Sequence, residues 1–386
     1  MISTTTSVHH LVCFSHLRWN FVWQRPQHLL SRFSRNHKVY YIEEPIYDST
    51  ADTLEVSKPA ENMWLIVPHL REGMQEDESI AKQKELLANF FIANEITQYF
   101  FWYYTPMAMA ISDHFNPSLV VYDCMDELAA FKFAPQTLKD REKELFRKAD
   151  LVFTGGYSLY EAKKNRHPDV HAFPSSIDTE HFFKARLYTI DPPDQDPIPH
   201  PRIGYFGVID ERMDLNLIEG IARRKPDWHI VMVGPVAKVS PDTLPKLPNI
   251  HYLGMKSYNE LPSYISGWDI AMLPFAHNES TRYISPTKTP EYLAAGKPVI
   301  STPIIDVLRQ YGRNGLVNIA GTPEEFVRVA SLELDITDRD EWLQHVNEFL
   351  SHNSWDKTWQ RMMYLVTRKL NEKERNTKNI NEQIYV

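Results

Sequence analysis

The sequence predicts an α/β protein built from two Rossmann-like domains that face a cleft. Short apolar runs alternate with helical patterns through most of the 386 residues, which is typical of parallel sheets covered by helices. The chain is also too long for one comfortable hydrophobic core. Finally, five prolines among residues 191–201 exclude a helix or an inner strand there, and the alternation restarts after them.

Each half contains its own series of predicted strands and helices. In the first half, helices are predicted at 25–35, 77–96, 106–114, 137–148 and 157–165, between strands near 10–15, 38–43, 63–67, 99–104, 118–123, 150–154 and 170–173. In the second half, strands are predicted at 202–208, 228–233, 250–253, 269–274, 298–301 and 315–319, followed by a helical pattern to about 371. We therefore predict an N-terminal domain over 1–190 and a C-terminal domain over 200–350.

Composition narrows the class of protein. The net charge of −8 argues against nonspecific nucleic-acid binding, so no nucleic-acid partner is expected. Cys13 and Cys124 lie in apolar runs without metal-ligand spacing, as in a reducing compartment. No apolar run is long enough to span a bilayer, and residues 1–6 lack the basic start of a secretory signal. These features predict a cytoplasmic protein, with peripheral contact at the inner membrane face left open.

The segment SPTKTPEYLAAGKPVIST, at 285–302, combines several phosphate-binding devices. A hydroxyl-rich turn with Lys288 opens a predicted helix, whose free N–H groups and dipole attract anions. Thr287 and Thr289 would add hydroxyl and backbone donors, and the Glu291 oxygens suit a sugar diol. Ordinary helix capping is the alternative, because Thr at the helix start, proline in the first turn and Gly296 at the end all fit it.

Three further segments accompany this one. They are FPSSIDTEHF at 173–182, WDIAMLPF at 268–275 and WDKTW at 355–359. Together the four segments resemble nucleotide-sugar glycosyltransferases of the GT-B fold, and are most similar to family 1 and family 4 bacterial enzymes of surface-polysaccharide synthesis, including the teichuronic-acid type. The resemblance implies that a last helix, about 355–372, crosses back onto the N-terminal domain, leaving a polar tail at 373–386.

The resemblance also implies a donor site in the C-terminal domain. It places Lys288 on the diphosphate and Glu291 on the ribose. It adds further donor contacts around the strand ends, namely Gly207, Arg212, Gly234 and Arg282. The sequence departs from the family at two places: Val208 stands where an arginine is usual, and Tyr283 where a first glutamate is usual. A surface salt bridge is the alternative for Arg212.

The acceptor is expected in the N-terminal domain. The loop after its first strand has no glycine and is rich in arginine, histidine and tryptophan, which suits sugar recognition by stacking and hydrogen bonding. The acceptor-binding candidates are Arg18, Trp19, Trp23, Arg25 and His28. Packing at helical spacing is the alternative for the two tryptophans.

Catalytic candidates lie at two strand ends. His16 is a candidate base. Asp123 and Asp126 leave an apolar run, and a desolvated carboxylate there can serve as a base or stabilise an oxocarbenium-like state. Asp126 is favoured, because Asp123 can instead tie down the strand end.

The predicted function is transfer of a sugar from a nucleoside diphosphate donor, with UDP favoured by family frequency, to a glycan or lipid-linked acceptor. Retention of the anomeric configuration is implied only by the resemblance. The resemblance implies that no cofactor or metal is needed, and the position of the Asp194 and Asp196 pair in the proline-rich linker agrees with this. The alternatives are a sugar-nucleotide epimerase of the same architecture and a noncatalytic sugar-nucleotide-binding subunit. A nicotinamide dehydrogenase is disfavoured, since no G-x-G-x-x-G occurs.

Overall fold

The computed structural model describes residues 10–131 and 134–384, with side chains described as far as residue 376. Residues 1–6, from which the absence of a signal was predicted, lie outside the described residues.

The N-terminal domain is built on one sheet. Among the described residues this sheet has nine strands, ordered β3-β5-β2-β1-β6-β7-β8-β9, with β4 antiparallel to β5 and every other pair parallel. The strands are β1 His10–Ser15, β2 Lys38–Glu43, β3 Ile46–Ser49, β4 Thr53–Ala60, β5 Met63–Arg71, β6 Tyr99–Tyr103, β7 Val120–Cys124, β8 Leu151–Thr154 and β9 Val170–Ala172. Because the central strands are buried on both faces, they read as continuous apolar runs in the sequence.

The C-terminal domain repeats the plan with a smaller sheet. Within the described part of the chain it has six strands, ordered β12-β11-β10-β13-β14-β15 and all parallel. They are β10 Arg202–Phe206, β11 His229–Val233, β12 Ile250–Gly254, β13 Ile270–Leu273, β14 Val299–Ser301 and β15 Asn318–Ile319.

Helices connect the strands of both sheets. Those of the N-terminal half and the linker are α1 Arg25–Phe33, α2 Glu76–Ala93, α3 Met109–Ser112, α4 Leu138–Lys148, α5 Tyr157–Lys163 and α6 Thr179–Phe183. Those of the C-terminal half are α7 Leu215–Arg224, α8 Leu261–Ser266, α9 Lys288–Ala294, α10 Ile305–Gln310, α11 Pro323–Leu334, α12 Asp340–Ser351 and α13 Trp355–Ile384.

The last helix, α13, returns to the N-terminal domain. Trp355, Met362 and Val366 are buried in the same apolar cluster as Leu29 and Phe33 of α1. This is the crossing that the resemblance implied. The helix is longer than expected, however, since it continues to Ile384 and includes most of the segment predicted as a polar tail.

Two strands were missed by sequence reasoning. β3 and β4 form the polar edge of the first sheet, and most of β4 is exposed. An exposed edge strand lacks the apolar alternation on which the prediction of strands relies, and β4 was missed for this reason. In the structure, β4 is held in place by backbone pairing with β5.

Candidate functional site

The two domains enclose a cleft of about 420 Å³ at the carboxyl ends of their parallel strands. This edge of an open α/β sheet is where ligands generally bind. The N-terminal wall contains the loop after β1, the turn after β7, Gly155 and Ser175. The C-terminal wall contains the residues Tyr205, Phe206, Gly207, Val208, Arg212, Val233, Gly234, Pro235, Met255, Lys256, Ser257, Tyr258, Leu261, Phe275, Ile284, Ser285, Pro286, Thr287, Lys288 and Glu291.

Lys288 is the cation at the start of α9 that faces the cleft. Its side chain is half-buried, with Nζ 5.7 Å from the ring centroid of Phe206. Among the described residues no hydrogen bond or ion pair engages Nζ. Burial lowers the pKa of Lys288, while the nearby Glu291 carboxylate opposes that shift. An unpaired ammonium held beside a helix start is suited to bind an anionic ligand.

Glu291 is the matching acceptor one turn along the same helix. The residue is only 4% exposed, and its Oε2 atom has no hydrogen-bond partner within the described ranges. Burial raises the pKa of this carboxyl, and the neighbouring Lys288 partly offsets the rise. A buried carboxylate oxygen without a donor is costly, so a ligand hydroxyl would relieve that cost.

The two predicted threonines differ in position. Thr287 precedes α9 and lines the cleft. Thr289 is fully buried, does not line the cleft, and leaves its hydroxyl without a partner in the described chain. The prediction that Thr289 presents its side-chain hydroxyl to a ligand therefore has no support in this geometry.

Two glycines bring the strand ends close together. A Cβ atom on Gly207 would lie 2.2 Å from Cε of Lys288, and one on Gly234 would lie 2.0 Å from the carbonyl oxygen of Gly207. Both have positive φ angles, +139° and +146°. These positions require glycine because any side chain would displace Lys288 or part the two loops.

Arg212 lies on the same wall and is held by Asp210. Its Nε and Nη2 atoms donate to the carboxylate of Asp210 at 2.7–3.1 Å. Burial acts to lower the pKa of Arg212, but the hydrogen bonds and charge of Asp210 outweigh it and raise that pKa. The guanidinium also faces the ring of Phe131 from the N-terminal domain, 5.6 Å away. Arg212 is therefore a preorganised cation at the cleft.

Arg282, another predicted donor contact, is placed elsewhere. Its side chain is 55% exposed and pairs with Glu279 at 3.7 Å. It does not line the cleft. The structure thus separates it from Lys288 and Arg212, and the expectation for Arg282 is corrected to a surface ion pair.

Asp126 faces these cations from the N-terminal wall. It lines the cleft, and burial raises the pKa of its carboxyl, while the positive charge of Arg212 acts in the opposite direction. Because Arg212 belongs to the other domain, the pair brings the two walls into one electrostatic unit.

Asp123 and Arg25 are buried against each other instead. Arg25 donates to Asp123 from Nη2 at 2.8 Å and from Nε at 3.0 Å, and its Nη1 donates to the carbonyl of Phe173 at 2.7 Å. Asp123 is fully buried and does not line the cleft. Arg25 borders the cleft, but its guanidinium is occupied. The predictions of Asp123 as a catalytic group and Arg25 as an acceptor ligand are therefore corrected to a structural ion pair.

Arg18 and His28 are likewise engaged inside the N-terminal domain. Arg18 pairs with Glu43 at 2.8 Å and donates to the carbonyl of Glu44 at 2.7 Å. His28 is 2% exposed and stacks on Trp355, with ring centroids 4.7 Å apart. Neither residue lines the cleft. Both were expected to bind the acceptor, whereas here they fix a loop and the docking of α13.

The two tryptophans do line the cleft. Trp19 is nearly buried, and its backbone N–H donates to Glu43 at 2.7 Å. Trp23 is 43% exposed and stacks on Tyr258 of the other domain, with centroids 5.4 Å apart. Of the predicted acceptor residues, Trp23 is therefore the one whose aromatic side chain is both exposed and at the cleft.

His16 lies near the cleft without lining it. Burial, helped by the charge of Lys238, lowers the pKa of His16 to about 4. The ring is therefore neutral at physiological pH and is a weak base.

Sequence reasoning missed the cleft residues at 255–258. Lys256 pairs with Asp194 at 2.6 Å, and Tyr258 packs on His181 with centroids 4.1 Å apart. The available signal was the capping box between Ser257 and Glu260, which marks a helix start near a strand end.

The described residues contain neither a cluster suited to a metal ion nor a helix suited to span a membrane. No group of three or more histidine, cysteine or acidic side chains is arranged there to hold a metal ion. None of the helices in that part of the chain is long and apolar enough to cross a membrane.

Comparison with known proteins finds a family model that matches part of the chain and a curated relative. Residues 200–332 match the family model described as glycosyl transferases group 1. TuaH of Bacillus subtilis (strain 168), named as a teichuronic acid biosynthesis glycosyltransferase, is 28% identical over 220 residues, covering 52% of this chain and 54% of that protein. The match thus spans about half the length of the curated relative.

Solved structures resemble nearly the whole chain. Sucrose-phosphate synthase from Thermosynechococcus elongatus has a TM-score of 0.69 at 13% identity, covering 93% of this chain and 98% of its own. A trehalose-6-phosphate protein from E. coli, bound with UDP-2-fluoro glucose, has a TM-score of 0.66 at 12% identity, covering 93% of this chain and 99% of its own. HepE from Anabaena, in complex with UDP and glucose, has a TM-score of 0.63 at 11% identity, covering 92% of this chain and 99% of its own. At these identities the likeness establishes the fold.

Proposed function

We propose that the protein transfers a sugar from a UDP-sugar to a glycan or lipid-linked acceptor, because residues 200–332 match the glycosyl transferases group 1 model and the fold is of the GT-B type. The sequence-based identification of the family and fold is confirmed by these findings. The predicted enzyme class, a glycosyltransferase, is supported by the family match and by the relative named for teichuronic acid biosynthesis.

The observation that supports the proposal most is the pair on α9. Lys288 offers an unengaged ammonium and Glu291 an unengaged carboxylate oxygen, one helical turn apart and facing the same cleft. A nucleoside diphosphate carries both complements, an anionic diphosphate and a ribose diol. Lys288 and Arg212 would take the diphosphate, and Glu291 the ribose hydroxyls.

The uridine nucleotide is chosen by analogy. HepE, which shares the fold, is in complex with UDP and glucose, and the E. coli neighbour is bound with UDP-2-fluoro glucose. The relative's name concerns teichuronic acid, a surface polysaccharide. A UDP-sugar donor and a glycan or lipid-linked acceptor fit both names.

The proposed reaction exchanges one bond at the anomeric carbon for another. The bond between the sugar and the diphosphate breaks, and UDP leaves with the electron pair. The acceptor oxygen forms the new glycosidic bond and loses its proton to a phosphate oxygen or to Asp126. Lys288 and Arg212 stabilise the charge that develops on the leaving diphosphate. We propose that these cations replace a metal and that the anomeric configuration is retained.

Asp126 is the proposed catalytic carboxylate. It lies on the wall opposite Lys288 and borders the same cleft, where an acceptor hydroxyl would approach. Desolvation raises its pKa, which makes it a better proton acceptor. Trp23 supplies an aromatic face for the acceptor sugar on that wall. The proposed compartment is the cytoplasm, with the protein at the inner membrane face if the acceptor is lipid-linked.

Binding of the nucleotide is tested by a thermal-shift panel of UDP, GDP, dTDP and ADP. UDP should raise the melting temperature most, since a ligand at 100 times its dissociation constant stabilises the native state by about 2.7 kcal/mol. A larger shift with another nucleotide would correct the base. No shift with any of them would contradict a nucleotide-sugar enzyme.

Turnover is tested by UDP release from a panel of UDP-sugars, without and with acceptor glycans. A glycosidic product supports the transferase, and a new nucleotide sugar without a glycosidic bond would instead indicate an epimerase. Binding without release or conversion would indicate a noncatalytic subunit. Asp126→Asn should lower turnover by roughly 100-fold while leaving UDP affinity within about two-fold. Wild-type turnover in that variant would remove Asp126 from catalysis.

A further inference from the structure

The turn that presents Asp126 is held by a backbone hydrogen bond and by close packing against a glycine. It follows β7, and its Met125 N–H bonds back to the carbonyl of Asp123 at 2.9 Å. Gly155 packs so closely that a Cβ there would lie 2.1 Å from the Met125 carbonyl oxygen. The backbone of the turn therefore has little freedom on the side of Gly155.

An ion pair lies on each side of Asp126, fully buried on one side and partly buried on the other. On the N-terminal side, Asp123 is paired with Arg25. On the C-terminal side, Glu127 is paired with Lys163 of α5 at 2.6 Å. Asp126 is the acid between them whose carboxylate receives no hydrogen bond from the described residues and which lines the cleft. Of the three acids, Asp123 and Glu127 are thus paired within the N-terminal domain, whereas Asp126 faces the cleft.

Lys163 is the centre of a wider network under this turn. It is 3% exposed and also bonds to Glu142 at 2.8 and 3.1 Å. Glu142 in turn accepts from Arg166 at 2.5 Å and from the hydroxyl of Tyr122 at 3.1 Å. Tyr122 lies on β7 itself, so the network joins α4, α5 and the strand that ends at the turn.

Stability alone gives little reason for such a network. Buried ion pairs are often no more stabilising than well-packed apolar side chains of the same volume, because desolvation of the charges offsets their attraction. What a hydrogen-bonded network of this kind does provide is a fixed geometry, and catalytic groups need it. A misplacement of about 1 Å can cost roughly 100-fold in rate.

We propose that Lys163 is a positioning residue, which acts through Glu127 to hold Asp126 in the cleft opposite Lys288 and Arg212. The inference rests on the proposed function, since it concerns the geometry of the same reaction. Among the described residues, the ammonium of Lys163 pairs with Glu127 and Glu142, and Lys163 itself does not line the cleft.

The test compares Lys163→Met with Lys164→Met. The two lysines are adjacent, but Lys164 is exposed and pairs only at the surface with Glu161. Both variants are assayed for UDP release from the best UDP-sugar and for UDP affinity by calorimetry. Lys163→Met should lower kcat by roughly 10- to 100-fold, with donor KM and UDP affinity within about two-fold. Lys164→Met should behave as wild type.

A second set of variants separates positioning from general damage. Glu127→Met leaves Lys163 bonded to Glu142, so it should fold like the wild type yet show the same loss of kcat. Because both residues act through one contact, the double variant should lose no more than either single one. Lys163→Arg, which keeps a donor cation, should recover most of the rate.

Two results would overturn the inference. One is wild-type kcat in Lys163→Met or Glu127→Met. The other is a parallel loss of kcat and UDP affinity in Glu127→Met, which would indicate damage to the whole cleft. If the wild type itself turns over no nucleotide sugar, the proposed function fails and the inference fails with it, whereas an active wild type with active variants refutes the inference alone.

Discussion

The two walls of the cleft use their polar side chains in opposite ways. On the C-terminal wall, Lys288 and Glu291 are left without partners among the described residues and face the cavity. On the N-terminal wall, Arg25 is bound to Asp123 of its own domain. Of these predicted ligands, the fold thus leaves Lys288 and Glu291 available to the cavity and occupies the guanidinium of Arg25 within its own domain.

Net charge follows the same division. The N-terminal wall presents Asp126 and aromatic rings, which suit a neutral, hydroxyl-rich acceptor. The C-terminal wall presents Lys288 and Arg212, which suit an anionic diphosphate. The cleft is thus divided by chemistry as well as by domain.

The largest effect is expected when the buried ion pair between Arg25 and Asp123 is broken. Arg25→Met leaves Asp123 as a buried carboxylate without a cation and should lower the free energy of unfolding by about 3–5 kcal/mol. Guanidinium denaturation measures it. Arg223→Met is the matched control, because Arg223 and its partner Glu219 are 62% and 37% exposed, so that loss of this pair should cost about 1 kcal/mol or less. Equal losses would contradict the distinction between the two pairs.

An intermediate effect is expected on the C-terminal wall. Lys288→Met should weaken UDP binding by roughly 10- to 100-fold, since a hydrogen bond to a charged group is worth about 1.5–3 kcal/mol. Calorimetry with UDP measures it. Arg282→Met, a residue of the same charge outside the cleft, should bind UDP as the wild type does. A comparable loss in Arg282→Met would place that side chain back at the donor.

Between pH 7 and pH 6 the smallest effect is that of His16 on the pH dependence of stability. Burial lowers its folded-state pKa to about 4 from the ordinary 6.5, so the unfolded chain binds more protons between those values. Stability is therefore full above pH 6.5 and falls by about 1.4 kcal/mol per pH unit as pH drops toward 4. His16→Gln should remove this contribution. Denaturation at several pH values measures this dependence. If the free energy of unfolding changed with pH equally in the wild type and in His16→Gln, the prediction for His16 would be refuted.

Much of the fold could be predicted because it depends on local periodicity. The central strands are buried on both faces and therefore appear as apolar runs, as in β1 and β13. The edge strand β4 is mostly exposed and shows no such run. The end of α13 was missed because a polar sequence such as 373–384 gives no apolar stripe from which to read a helix.

The candidate site divides in the same way. Lys288, Glu291 and Gly207 could be predicted to lie together at the cleft, because they belong to one short motif or to a strand end. The fate of Arg25 could not be read, since Asp123 lies 98 residues away along the chain. Nor could the contact between Lys163 and Glu127, which requires α5 to fold back beneath the turn after β7.

The sequence by itself determined the alternation of strands and helices, the proline-rich break between the halves, and the donor motif on α9. These depend on interactions between residues near one another in the chain. Only the tertiary structure decided which charges are free. Desolvation makes a buried charge costly unless it is paired, and partners such as Arg25 and Asp123 meet only when distant strands and helices pack. The same packing leaves Asp126, Lys288 and Glu291 facing one cleft.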